Sequence, residues 1–332
     1  MSHDATVTLI DPIPPTPPSV LRKVFIGKDG LRAGWGLLIF IAIFAAIAFC
    51  VRVIGHKLYP SAAGAPKAEI SPAFGYIAES VNFLLTLLVT WIMAKIERRP
   101  ISVYGFGDRR KLSHFLAGLA WGVTCLSLLV LALWKTGLLV IDSRLLFGSD
   151  IFRYAAIWLL AFLLVGLAEE YLTRGYLQYT LTRGLAGLYR WIFKTPHSAA
   201  LGFWTSAIIF SILFGLGHST NPGESPIGLL SAGLAAMVFC FSLWRTGSLW
   251  WAVGFHTAWD WAQSFLYGVA DSGLMVQHHL LATHPVGKPI LSGGTTGPEG
   301  SIVVVAVLVL VSLIIVITLP RTHDRDTPER GI

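Results

Sequence analysis

Seven side chains in the second half of the chain have types and spacings suited to chemistry. The run IWLLAFLLVGLAEEYLTRGYLQYTL holds Glu169, Glu170 and Arg174 inside an otherwise apolar stretch. Two further runs, FSILFGLGHST and SLWWAVGFHTAWDWAQ, place Phe214 with His218 and His256 with Asp260. Each of these pairs is spaced i, i+4, so on a helix its members share one face. Glu170 and Arg174 have the same spacing and can form an ion pair that does no more than stitch helices together. Glu169 points about 100° away around the helix, so Arg174 cannot readily serve both carboxylates. Glu169 is therefore the acid without a partner on its own helix. A single His in an apolar helix is usually a packing residue, but two His and two acids on three helices must share one small interior.

Absences narrow the chemistry. There is no HExxH for two metal-binding His and a base on one helix, and no GxSxG elbow for a serine nucleophile. Cys50, Cys125 and Cys240 lie in apolar runs without CxxC spacing and read as packing residues. His278, His279 and His284 could bind metal, though their spacing is not diagnostic. What remains is a carboxylate and two imidazoles, which can either activate water directly or, as Glu169, His218 and His256, hold a zinc ion.

The elements that must position these groups are membrane helices. Of the 332 residues 54% are hydrophobic and 13% charged, with a mean hydropathy of +0.66. So little charge cannot cover the surface of a soluble domain, where about 25% is usual. The net charge of +7 forms no basic and aromatic patch, which argues against nucleic acid as a partner. The bilayer is the expected solvent. A hydrocarbon core of about 30 Å takes about 20 apolar helical residues. Eight stretches qualify, at 34–54, 76–95, 113–134, 152–180, 199–219, 226–245, 248–268 and 301–320. None alternates as barrel strands do. The expected fold is an all-α polytopic membrane bundle of about eight transmembrane helices. A flexible, Pro-rich, basic tail (1–33) precedes the first helices (34–150), and a helical core (151–268) carries the seven side chains. A Gly, Pro and His loop (269–300), a last helix (301–320) and a short tail (321–332) follow.

The basic residues assign the sides. With eight crossings, 17 of the 25 Lys and Arg fall on one side and seven on the other, with Arg174 inside a helix. That bias places both termini in the cytoplasm. Depth raises a difficulty, because straight helices with these limits put Glu169 near mid-span, His256 about 12 Å in from the cytoplasmic end and His218 toward the far end. For the site to converge, a helix limit must shift by a turn or more, or the fifth helix must begin after 199.

EEYLTR, FGLGH and HTAWD, in that order on successive helices, resemble the CPBP family of intramembrane proteases. This group includes the type II CAAX prenyl proteases and the bacteriocin-processing, immunity and abortive-infection-like proteins. The resemblance lies between about 152 and 268. It implies a glutamate-dependent peptide hydrolase of a bacterial cytoplasmic membrane, acting on a peptide or lipid-modified protein without a cofactor. Glu169 and His218 would activate water, Glu170, Arg174 and Phe214 would brace the site, and His256 with Asp260 would support the oxyanion. Prenyl proteases carry Asn at the last of these positions, and its amide can donate to an oxyanion whereas an ionised Asp260 cannot. Asp260 is therefore expected to act through His256. Two other functions compete: a non-enzymatic immunity or scaffolding protein that keeps the motifs for stability, and a proton-coupled transporter. The latter would show an inverted repeat of hydropathy, and no convincing one is present.

Overall fold

The computed structural model describes residues 24–27, 30–58 and 69–319. All eight expected segments are helical. They are α1 (Ala33–Leu58), α2 (Pro72–Glu97), α3 (Lys111–Lys135), α4 (Ser149–Glu170) running on into α5 (Gln178–Phe193), α6 (Ser198–Gly217), α7 (Pro226–Thr246), α8 (Trp250–Trp261) and, after the short α9 (Pro289–Ser292), α10 (Val303–Thr318). Among the described residues six helices are long and apolar enough to cross a membrane unaided, while α10 has 16 residues and α8 is lengthened by a π turn over Ala262–Leu266. Local chemistry sets several limits. Ser71 and Ser225 each precede a Pro at the first helical position and accept a backbone N–H, from Phe74 and Gly228, so α2 and α7 start alike. Gly247, at φ 72°, closes α7 in the left-handed conformation that glycine adopts without strain.

The fourth segment differs most from expectation. It does not stop near 180 but continues unbroken from Ser149 to Phe193 over 45 residues, about 67 Å of helix. Leu-rich character fades after Thr180, yet no Pro intervenes until Pro196, and Lys194 caps the end at φ 49°. The extension packs against α6, with Thr182 Oγ1 2.5 Å from Ser206 Oγ. This shift lets the helices converge, because α6 begins at Ser198 and so does not start late. α2 runs parallel to the long helix. Gly75 lies against Trp158 at one end, and Glu97 meets Tyr176 (2.6 Å) and Arg183 (3.1 Å) at the other.

α8 is wedged between α3 and α4, and small residues allow it. A Cβ on Gly118 or Gly254 would collide with the carbonyl of Trp251 or Phe115, and one on Gly166 would press on Thr257 Oγ1 at 3.0 Å. Such close backbone approach is the usual way membrane helices gain packing energy.

Short ribbons join the connections. β1 (Ile26–Gly27) pairs antiparallel with β2 (Gly30–Leu31), so the end of the expected flexible tail is folded. β3 (Glu69–Ile70), β4 (Leu139–Arg144), β5 (Met275–Val276) and β6 (Leu281–Pro285) make two more pairs, β3 parallel to β5 and β4 antiparallel to β6. The loop over 269–300 is therefore a folded layer of strand, turn and short helix. Pairing also fixes parity: four crossings separate β4 from β6 and six separate β3 from β5, so each pair sits on one side. The rest of the tail over 1–33, the segment 59–68 and the C-terminal tail 321–332 lie outside the described residues.

Candidate active site

Two π turns adjoin the chemical residues. One, over Tyr171–Leu177, follows Glu170 and contains Arg174; the other follows the His256–Asp260 run. Such turns widen a helix locally and are frequent at functional sites. Across the first, Arg174 Nη1 donates to Glu170 Oε1 at 2.8 Å, with 1% and 0% of the two side chains exposed. The guanidinium is stacked over Phe214 at 4.4 Å and Phe239 at 5.6 Å. Glu170 Oε1 also receives His256 Nδ1 at 3.1 Å. Phe214 thus acts by covering the ion pair, and it packs edge-on to His256 as well.

His256 is the centre of the cluster. Its Nδ1 faces Glu170, and its Nε2 lies 3.4 Å from Asp260 Oδ2 and 3.8 Å from Glu169 Oε2. A carboxylate only accepts, so Nδ1 carries a proton. A neutral ring would then turn a lone pair at Nε2 toward two carboxylates, so the cluster must share a further proton. Glu169, unpaired on its own helix, finds its partner across the bundle. It is not shut away, because 31% of its side chain stays exposed. His218 follows the last turn of α6 and gives Nδ1 to the Phe214 carbonyl at 2.9 Å. That bond fixes the tautomer and leaves an accepting Nε2 in the neutral ring.

Glu169, His218, His256 and Asp260 line one cavity of about 460 Å³. Glu169 lies within 3.8 Å of His256 there, whereas the family resemblance implies that it acts with His218. Three more acids join them. Glu79 comes from α2, and Asp271 and Glu299 come from the connection after α8. Glu299 Oε1 accepts the backbone N–H and the hydroxyl of Ser272, and Asp271 Oδ2 accepts the Ser264 hydroxyl at 3.1 Å. Burial pushes the Asp271 carboxyl well above the usual carboxylate range, and the nearby charges of Asp260 and Glu299 push it further. Burial raises Glu299 too, against the lowering effect of its bonds from Ser272. Glu79 could have been found by the rule that singled out Glu169, since it is an acid within an apolar span. Asp271 and Glu299 carry no such signal.

The other histidines stand apart. His284 pairs with Asp142 at 2.7 Å, His279 Nδ1 meets the Leu281 carbonyl and His278 stacks on Tyr154. Among the described residues no three His, Cys, Asp or Glu side chains gather as a metal-ligand set, Glu169, His218 and His256 included. Cys125 and Cys240 are buried as expected, while Cys50 lies exposed on α1.

Residues 151–262, from the start of α4 to the second π turn, match the family model described as type II CAAX prenyl endopeptidase Rce1-like. This region belongs to the CAAX protease family. No curated protein and no solved structure matched the chain. The Rce1-like region holds Glu169, Glu170, Arg174, Phe214, His218, His256 and Asp260, whereas Glu79, Asp271 and Glu299 lie outside it. With its apolar helices, the chain is an integral membrane protein, and its region 151–262 is similar to the CAAX-type endopeptidases.

Proposed function

We propose that the chain is a glutamate-dependent endopeptidase that cuts a peptide bond near the C-terminus of a membrane-associated peptide or protein. The observation that carries this reading is the meeting of Glu169, His218, His256 and Asp260 on one cavity, backed by the sealed Glu170–Arg174 pair. In this reading a water in the cavity gives one hydrogen bond to Glu169 and another to His218 Nε2. Glu169 takes the proton as the water oxygen attacks the scissile carbonyl, then delivers it to the leaving amine. His256 Nε2–H donates to the oxyanion, and Glu170 at Nδ1 holds the ring in place. Asp260 keeps that imidazole charged. Its own carboxylate would repel an oxyanion, so it acts on the ring and not on the substrate. The long helix and the charge bias further support cytoplasmic termini, with Arg183, Arg190 and Lys194 on the cytoplasmic side.

The test is cleavage in membranes by protein carrying Glu169→Gln or His218→Ala, beside a comparison of protein C-termini in cells with and without the chain. Both substitutions are expected to lower kcat by orders of magnitude while the protein still folds. Folded variants cutting at the unaltered rate would remove Glu169 and His218 from the mechanism, and absence of cleavage by the unaltered protein would favour a scaffolding or immunity role.

A further inference from the structure

Acids outnumber the imidazoles on the cavity wall. Glu79, Glu169, Asp260, Asp271 and Glu299 all line it, and among the described residues no Lys or Arg does. Arg174, the nearest guanidinium described above, is spent on Glu170 behind the wall. Two of the acids arrive on the folded connection, tied down by Ser264 and Ser272, so their placement is built into that layer. The carboxylates come from α2, α4, α8 and the connection after it, and among the described residues they form no metal-ligand cluster. The same wall holds the aromatic side chains of Trp158, Phe162, Phe239 and Trp259. Spread carboxylates and aromatic walls fit an extended organic cation, whose alkyl stem packs on rings while its charged head meets acids. The cavity and its imidazoles make this a site; the carboxylates decide the sign of what enters.

Resting on the endopeptidase reading above, we propose that the cavity selects substrates bearing a Lys or Arg side chain beside the scissile bond, with Asp271 and Glu299 as the specificity-determining residues. Burial makes both acids hard to ionise, and an ammonium or guanidinium placed beside them stabilises their charged forms, which a peptide carboxylate cannot do. Recognition of this kind needs no new bond, only one ammonium or guanidinium to supply the counter-charge that the buried acids lack.

The experiment uses two fluorescent peptides identical except for Lys or Glu next to the cleaved bond. Their binding is measured on full-length protein carrying His218→Ala, and their cleavage on the unaltered protein. The Lys peptide is expected to bind about tenfold or more tightly, in keeping with one charge contact of intermediate dielectric. Asp271→Asn and Glu299→Gln, which keep the acceptor oxygens used by Ser264 and Ser272, are expected to shrink that preference by about threefold each. Equal binding of the two peptides, or a preference unchanged in both variants, overturns the proposal whether or not either peptide is cut. Selective binding without cleavage by the unaltered protein would instead keep the subsite and remove the endopeptidase reading.

Discussion

Removal of the charge on Glu170 tests which acid braces the site and which one faces the substrate. Glu170 is completely buried, and its Oε1 takes both Arg174 at 2.8 Å and His256 at 3.1 Å. Taking one partner from a buried pair costs about 3–5 kcal/mol, since the other charge stays without compensation. Glu170→Gln keeps shape and one acceptor, so the lower end, about 3 kcal/mol, is expected. Arg174→Ala also loses the stacking on Phe214 and Phe239 and belongs near about 5 kcal/mol. Glu169→Gln changes a side chain 31% exposed with its partner at 3.8 Å, and about 1 kcal/mol or less is expected. At roughly 2–4 °C per kcal/mol in a chain of this size, Tm should fall by about 6–12 °C, 10–20 °C and under 4 °C in that order. The assay is thermal unfolding in lipid nanodiscs followed by a thiol-reactive dye. Cys125 and Cys240 are fully buried and report opening, while exposed Cys50 sets the starting signal. A larger drop for Glu169→Gln than for Arg174→Ala would refute the division of labour between the two glutamates.

Asp260→Asn should keep the fold and much of the activity, with a changed dependence on pH, because Asn cannot hold an imidazolium yet can itself donate to an oxyanion. Loss of activity at every pH between 5 and 9, with Glu169→Gln still active, would make Asp260 the base. EDTA or phenanthroline should leave peptide cleavage intact; inhibition reversed by zinc would install Glu169, His218 and His256 as metal ligands. Asp271 is harder to ionise in the folded chain than at the ordinary value of 3.8, so its contribution to stability is full below that pH and is lost as pH rises through the raised value. Asp271→Asn should therefore flatten the decline of Tm toward alkaline pH, and an unchanged slope would show that the carboxyl ionises freely.

The eight helical stretches were legible because composition alone reveals long apolar runs, although among the described residues only six helices are long and apolar enough to cross a membrane unaided. The end of the fourth helix was not, since Arg183 and Arg190 look like the start of a loop although the backbone continues helical to Phe193. Spacing showed that His256 and Asp260 share a face, as their 3.4 Å approach bears out, and that Glu170 meets Arg174. It could not show which helix that face meets. Hence His256, not His218, is the imidazole beside Glu169. Asp271 and Glu299 sit in a stretch without periodicity, where pairing with distant strands places the chain. No local pattern could announce that.

The ribbon of β4 and β6 makes the order of synthesis matter. β4 leaves the ribosome before α4, and its partner exists only after four further crossings have entered the membrane. A nascent chain complete through 262 already holds Glu169, His218, His256 and Asp260, but the layer bearing Asp271 and Glu299 has yet to be sewn across them. The acids proposed to select the substrate thus reach the site after the groups proposed to do the chemistry. An unfinished chain therefore carries its reactive groups before the residues proposed to select what reaches them.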